Sequence, residues 1–333
     1  MSVSTVSRVV NKGAYVDRAT ELRVREAIAE LGYRPNLLAR SFRRKETRTI
    51  GLLVPDNTNP FFAGIARVIE EEGFAHGYSV ILCNSDLSES KQVAYVDVLL
   101  AKQVDGLILA SPGLIPAAGG PALVDRILES GVPCVVVDRD LGSLPIDQVL
   151  VDHRRGGYLV GEYLIGLGHR RLACLLGPDD RTPSAGRIAG FRQALADAGS
   201  ELAPDAVVRG NGRFEGGVAA TEALLRNGVE FTAIFAFNDL MAIGAINALH
   251  RAGRRLPDDV SIVGFDDILM AAAVFPPLTT IAQPVSDMGC QSVRLLLNRI
   301  TDREAPVCRI VLPTTFVERE SCRATRVGAG SRS

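Results

Sequence analysis

Closely spaced cysteines are missing from this sequence. Its six cysteines stand singly, and no two of them form a Cys-x-x-Cys pair. Disulfide frameworks and structural zinc sites use such close pairs, so the sequence favours neither. Isolated cysteines are typical of proteins that work in a reducing compartment.

Long apolar segments are missing as well. The first eight residues contain no apolar core of a signal peptide and no small-residue cleavage site. No uninterrupted apolar run in the chain is long enough to cross a bilayer. We therefore expect a cytoplasmic protein with no membrane partner.

Motifs for catalysis and metal binding are sparse. The sequence has no Walker-type phosphate loop and no Gly-x-Ser-x-Gly nucleophile elbow. The stretch 210–216 imitates a dinucleotide-binding loop, but its third glycine comes one residue late. The four histidines stand singly, without the spacing of metal ligands. We expect no enzyme activity, no cofactor and no bound metal.

The charges, in contrast, are distributed unevenly. Residues 1–48 hold eleven Lys or Arg and five Asp or Glu, which makes this segment +6. Because the net charge of the whole chain is −1, the remainder carries −7. A basic end on an acidic body is typical of a polyanion-binding appendage, although a solvated basic arm has the same charge.

From Thr49 onward, short aliphatic runs alternate with amphipathic helical stretches. The first of them predict a strand over 49–54, a helix over about 61–75 and a strand over 78–82. Such alternation indicates parallel sheets that are covered by helices on both faces. Further strands are predicted at 106–109, 132–137, 172–176, 233–237 and 260–264.

The number of strands is high for one sheet. We therefore predict an α/β protein with two doubly wound parallel-sheet lobes, the second of which starts near Gln148. Ligands of open α/β sheets bind beyond the carboxyl ends of the strands, and between two facing lobes this place becomes a cleft.

The amino-terminal segment has no strand pattern. Ser2 can cap a helix whose valines recur at helical spacing, and Asp17 can cap a second helix that stops at Gly32. Asn36 can cap a third, basic helix over 37–44. We predict helical DNA-binding and hinge elements over 1–46, a two-lobed effector-binding and dimerisation domain over 47–323 and a flexible tail over 324–333.

Several sequence blocks, in a fixed order, resemble the LacI/GalR family of transcription regulators. The blocks are SVSTVSRVVN (2–11), ELGYRPN (30–36), IGLLVPD (50–56), NPFF (59–62), LGHRR (167–171), GRIAGF (186–191), VGFDD (263–267) and PLTTI (277–281). They cover nearly the whole chain, so together they are far more specific than any one motif. The resemblance implies lobes of the periplasmic-binding-protein type behind a small helical DNA-binding segment.

By this resemblance, the first helix is a recognition helix that enters the major groove of DNA. The third helix resembles a hinge that wedges Phe42 between base pairs in the minor groove, where the family usually has leucine. The alternatives are a small surface helix and a linker helix that packs Phe42 on the core. The implied DNA contacts are Val3, Ser4, Thr5, Ser7, Arg8, Asn11, Asn36, Arg40 and Phe42.

Family members have one more helix before the recognition helix, whereas this sequence starts at Met1 inside the following turn. We therefore expect a truncated helix-turn-helix. A sugar-binding protein without effective DNA binding is the alternative function. Because a two-fold DNA site needs two heads, we expect a homodimer on a pseudo-palindromic double-stranded operator.

The resemblance also implies an effector site between the lobes. Aromatic faces with a few convergent polar groups suit a small ligand, and we expect a mono- or oligosaccharide. A purine is the alternative, because flat rings also stack on phenylalanine. A transport receptor of the same fold would need an export signal. The implied contacts are Phe61, Phe62, Arg181, Arg187, Phe214, Asn238, Asp266 and Gln283.

Overall fold

A computed structural model gives the fold of the chain. It contains two compact units, Met1–Thr47 and Arg48–Ser333. The residues that it describes are 2–10, 15–32, 46–110, 123–178 and 183–325.

The first unit has helices α1 (Val3–Val10) and α2 (Arg18–Glu30). The Ser2 hydroxyl accepts a hydrogen bond from the Thr5 amide at 3.2 Å, and the Asp17 carboxylate accepts one from the Thr20 amide at 3.0 Å. Both predicted caps are thus confirmed, and Gly32 follows α2 with a left-handed φ of +57°. The predicted third helix lies outside the described residues.

In the second unit, strands and helices alternate as predicted. The strands are β1 (Thr49–Val54), β2 (Ser79–Asn84), β3 (Gly106–Leu109), β4 (Cys134–Val137), β5 (Asp147–Val151), β6 (Leu172–Leu176), β7 (Val207–Arg209), β8 (Ala233–Ala236), β9 (Ser261–Val263), β10 (Thr280–Ala282), β11 (Arg309–Leu312) and β12 (Thr315–Val317). The helices are α3 (Pro60–Ala75), α4 (Glu89–Ala101), α5 (Leu123–Ser130), α6 (His153–Gly166), α7 (Ser184–Asp197), α8 (Phe214–Arg226), α9 (Asp239–Arg251), α10 (Leu269–Ala273) and α11 (Val285–Thr301).

The strands form two separate parallel sheets, which confirms the predicted pair of α/β lobes. The first sheet has the order β11-β5-β4-β3-β1-β2, and the second has the order β7-β6-β8-β9. Every hydrogen-bonded pair in both sheets is parallel. Strands β10 and β12 form a short antiparallel pair.

Alternate side chains of each strand are buried on opposite faces of its sheet. On β1, Leu52 packs into one apolar cluster with Ile65 of α3, whereas Leu53 packs into another with Leu99 of α4. This two-sided burial explains why the strands read as continuous apolar runs. Within the described part of the chain, no helix has the length and apolar character needed to span a membrane.

Over the residues that the structure describes, the chain passes between the lobes three times, after β5, after β10 and after β11. The prediction that the second lobe starts near Gln148 is wrong. Strand β5 pairs with β4 and β11 in the first sheet, and the second lobe begins at α6. The residues of β5 are buried like those of its neighbours, so its own pattern does not tell which sheet it joins.

Candidate functional site

A cavity lies between the lobes, beyond the carboxyl ends of the strands of both sheets. It encloses about 640 Å³ of empty space, including its open mouth. Asp56 follows β1 and Asp138 follows β4 in the first lobe, while Asn238 and Asp266 come soon after β8 and β9 in the second. This is the ordinary ligand position of open α/β sheets.

Two phenylalanines at the start of α3 form an apolar part of the cavity wall. The Asn59 side chain caps this helix by accepting a hydrogen bond from the Phe61 amide at 3.0 Å. The rings of Phe61 and Phe62 meet edge to face, with centroids 5.0 Å apart. Phe61 is buried and also belongs to the core, so it both supports the lobe and faces the cavity.

Arg187 of α7 places a buried guanidinium in the cavity wall. Its Nη1 donates to the Phe237 carbonyl oxygen at 2.5 Å, and its Nη2 lies 3.4 Å from Asp266 Oδ1. The guanidinium carbon lies over the Phe265 ring, 3.7 Å from its centroid. Because the Arg187 side chain is already held in place, it can donate to a ligand oxygen with little loss of conformational entropy.

Asp266 is the buried carboxylate of the site, and its φ of +119° is rare for any residue other than glycine. Its Oδ1 accepts a hydrogen bond from Gln283 Nε2 at 2.7 Å. Burial raises the pKa of Asp266 to about 7, against the opposing effects of Arg187 and Gln283. Near neutral pH the protonated and the ionised forms of Asp266 are therefore both populated.

Asn238 also lines the cavity, but both ends of its amide are already in use. Its Oδ1 accepts from the Met241 amide at 2.9 Å and so caps α9, and its Nδ2 donates to the Gly212 carbonyl oxygen at 2.8 Å. Asn238 thus holds the loop before α8 against the start of α9 and shapes the wall.

The second lobe also reaches across the cavity to the first. Arg213 Nε donates to Asp56 Oδ2 at 2.8 Å, and Arg213 Nη2 also bonds Asp86. The other oxygen of Asp56 accepts from the Thr58 amide and hydroxyl at 3.0 and 2.6 Å. Three carboxylates and two cations of the cavity region were missed by sequence reasoning: Asp56, Asp86, Asp138, Arg139 and Arg213. The signal for Asp56 and Asp138 is present, because Asp138 directly follows a predicted strand and Asp56 comes two residues after one.

The structure brings together most, but not all, of the expected ligand contacts. Gln283 stands behind the wall and contacts Asp266. Phe214 begins α8 and is not among the residues that line the cavity. Arg181 lies outside the described residues. The expected contacts that do line the cavity are Phe61, Phe62, Arg187, Asn238 and Asp266.

The expected DNA contacts divide in a similar way. Helix α1 contains Val3, Ser4, Thr5, Ser7 and Arg8, and the Arg8 side chain is exposed. The other four, Asn11, Asn36, Arg40 and Phe42, lie outside the described residues. Among the residues that the structure describes, no group of three or more His, Cys, Asp or Glu could hold a metal ion.

Comparison with known proteins decides the family. The model described as "Periplasmic binding proteins and sugar binding domain of LacI family" matches residues 47–320. The model described as "Bacterial regulatory proteins, lacI family" matches residues 1–36. The chain belongs to the LacI family. The predicted resemblance is confirmed, and this LacI-family protein is a DNA-binding transcription regulator with an effector-binding cleft.

Individual relatives match along most of their length. The ribose operon repressor of Escherichia coli (strain K12) is 37% identical over 321 residues, which are 96% of this chain and 96% of the repressor. A LacI family regulator from Enterococcus faecium, solved with bound ribose, is 35% identical with a TM-score of 0.73, covering 84% of this chain and 100% of that one. The lac repressor dimer, solved on its operator with an anti-inducer, is 30% identical with a TM-score of 0.85, covering 97% and 96%. These relatives are transcription regulators.

Proposed function

We propose that this LacI-family regulator is a cytoplasmic repressor whose operator affinity is set by a neutral sugar bound between its lobes. The observation that carries the proposal is the buried pair of Arg187 and Asp266 beside the phenylalanine wall. A relative of similar fold is described as holding ribose. The cavity binds the effector and leaves it chemically unchanged.

The donors and acceptors of the wall suit a polyhydroxylated ring. A hydroxyl group can donate to the ionised Asp266 carboxylate and at the same time accept from the Arg187 guanidinium. The apolar C–H face of the ring can pack on Phe61 and Phe62. A ring with several hydroxyls uses all of these groups together.

The charges of the wall favour a neutral ligand. Arg187 is paired with Asp266, and Arg213 is paired with Asp56 and Asp86. A phosphorylated effector would compete with Asp266 for Arg187 and with Asp56 and Asp86 for Arg213. A neutral sugar leaves these pairs intact and adds hydrogen bonds.

Effector binding is proposed to act through the lobe arrangement and through a dimer. A ligand shifts a two-state equilibrium by binding one state more tightly than the other. Leu269 and Phe275 of the second lobe are 85% and 82% exposed, which supports pairing with a second copy. Two copies would present two recognition helices to a two-fold operator.

Calorimetry with D-ribose, D-glucose, cellobiose, hypoxanthine and guanine tests the ligand class. We expect binding of a sugar, and we expect Asp266→Ala to weaken it by about 1–3 kcal/mol because hydroxyls lose their acceptor. Asp205→Asn, at an exposed site on the second lobe, is the control and should bind as the wild type does. Binding of a purine alone, or equal affinity in the Asp266 variant, would refute the sugar assignment.

Selection of bound sites from a random DNA library tests the second part of the proposal, which is that the chain recognises an operator. We expect the full chain to enrich two-fold symmetric sites. Arg8→Ala should weaken binding by about 1–3 kcal/mol and relax the preference at one position of each half-site, because Arg8 is expected to read a base edge. Recovery of no preferred site would count against operator recognition by this chain.

A further inference from the structure

A line of buried polar contacts runs from the first lobe to the cavity wall of the second. Asp138, which follows β4, accepts a hydrogen bond from His153 at 2.6 Å. His153 is the first residue of α6, directly after the chain crosses between the lobes. The His153 ring contacts Arg187, which in turn contacts Asp266. Asp138, His153 and Arg187 are each at most 5% exposed.

The partners of His153 fix where its proton lies. Arg187 Nε is 3.3 Å from His153 Nδ1, and a guanidinium nitrogen can only donate. Nδ1 must therefore be the bare, accepting nitrogen of a neutral ring. The proton then sits on Nε2, which donates to Asp138 Oδ1. Burial also lowers the pKa of His153, against the opposing effect of Asp138, which agrees with a neutral ring.

The two helices that carry this contact touch through glycines. A Cβ atom on Gly157 of α6 would overlap the Arg187 carbonyl oxygen, and one on Gly186 of α7 would lie 3.0 Å from His153 Cβ. Because the two helix backbones are this close, side chains on their facing turns can contact each other directly. His153 and Arg187 are therefore held together within the second lobe, while Asp138 comes from the first.

We propose that His153 is a positioning residue that aims Arg187 at the effector only while the two lobes are together. The proposal rests on the proposed function for the contact between Arg187 and the effector. When the lobes separate, His153 loses Asp138, the partner that sets its ring orientation and its proton. The Nδ1 acceptor then no longer holds the guanidinium in place. The charged groups around the ring are Asp138 and Arg139 after β4 and Arg187 on α7.

The first test needs no effector. Long-range ¹H–¹⁵N correlation spectra of the labelled full chain report which ring nitrogen carries the proton, and His153→Asn identifies the His153 signal. We expect a neutral ring protonated on Nε2 at every pH from 6 to 8. A ring protonated on Nδ1, or one that titrates within this range, would overturn the proposal even if no sugar binds.

The second test separates the two contacts of His153, with D-ribose as the calorimetric probe. Asn carries its amide oxygen near the place of Nδ1, so His153→Asn keeps the acceptor for Arg187 and loses the donor to Asp138. Gln carries its amide nitrogen near the place of Nε2, so His153→Gln does the reverse. Because both contacts are needed, we expect each variant to bind D-ribose about tenfold more weakly, which corresponds to about 1.4 kcal/mol.

Two further variants distinguish positioning from loss of structure. In an Arg187→Lys background, which lacks Nε, His153→Asn should weaken D-ribose binding by less than twofold, because His153 acts through Arg187. His169→Asn is the matched control, since His169 is equally buried but bonds Thr232 and the Arg323 carbonyl oxygen away from the cavity. Equal losses in both backgrounds, or wild-type binding by either His153 variant, would overturn the proposal. If the wild type binds no D-ribose, the proposed function fails for this sugar and the spectra alone decide.

Discussion

Asp266 accepts a hydrogen bond from a hydroxyl most strongly when it is charged, yet its surroundings disfavour the charge. Burial raises its pKa from 3.8 to about 7. Between these values an unfolded chain releases the proton while the folded chain keeps it. The contribution of Asp266 to the stability of folding is therefore complete below about pH 4 and falls as the pH rises toward 7. Binding a ligand that prefers the ionised carboxylate recovers part of this loss.

This ionisation predicts a pH-dependent affinity. One pH unit below its pKa, only about a tenth of a carboxyl group is ionised. We therefore expect the affinity for the bound sugar to rise by up to about tenfold between pH 6 and pH 8, measured by calorimetry in matched buffers. Asp266→Asn has no proton to lose and should bind weakly and equally at both values. A wild type whose affinity is flat across this range would contradict the role given to Asp266.

At the level of single residues, the sequence predicts the polar groups that lie within the family-like sequence blocks. It does not predict those whose partners are distant along the chain. Arg187 and Asp266 were predicted because their blocks resemble a family, and both line the cavity. Arg213 was not predicted as a site residue, because its partner Asp56 is 157 residues away along the chain. Nothing local to Arg213 indicates that the two lobes bring it to a carboxylate.

Among the elements, the contact between α6 and α7 constrains the site most directly. Gly157 of α6 lies against the backbone of Arg187, and Gly190 of α7 lies against the backbone of Arg154. Any Cβ atom at these positions would meet a carbonyl group, which cannot turn aside like the end of a flexible side chain. The position of Arg187 in the wall therefore depends on two residues that have no side chain.

Gly157→Ala is expected to lower the free energy of unfolding by about 1–3 kcal/mol or more, because the helices must move apart. Gly166→Ala is the control on the same helix, since a Cβ there meets nothing within 4 Å. It should be neutral or raise stability by about 0.5–1 kcal/mol, as alanine favours helix. Urea denaturation of both variants measures the difference. Equal stability of the two would show that the contact can relax.

Some boundaries of the elements followed from the sequence. The strands at 49–54, 106–109 and 172–176 have the predicted bounds, whereas the strand predicted at 78–82 lies at 79–84 although Gly77 precedes it. The assignment of β5 to the wrong lobe has a physical cause: periodicity encodes how buried a strand is, whereas its hydrogen-bonded neighbours come from chain segments far away. Likewise, β11 joins the first sheet only after the chain has completed most of the second lobe.

On the scale of the whole second unit, two sets of contacts between described residues bridge the cleft. One is buried, from Asp138 to His153, and the other is at the mouth, from Arg213 to Asp56 and Asp86. The Arg213 side chain is 40% exposed, while that of Asp56 is only 9% exposed. Dissolved salt therefore weakens the exposed ion pair between Arg213 and Asp86, whereas it weakens the partly buried pair between Arg213 and Asp56 less.

The contacts at the mouth predict that the effector-free protein is held partly closed by Arg213. An exposed ion pair contributes about 0–1 kcal/mol and a shielded one somewhat more, so Arg213→Gln should shift the balance between closed and open lobes about fivefold or more toward the open form. Small-angle X-ray scattering of the full chain without ligand should then give a larger radius of gyration. Raising the salt concentration should increase the radius of gyration of the wild type as well and leave that of the variant almost unchanged.

Arg171→Gln is the matched control, because Arg171 pairs with Glu230 within the second lobe and its loss should not open the cleft. If Arg213→Gln and the wild type scatter alike at low salt, these ion pairs do not hold the lobes together.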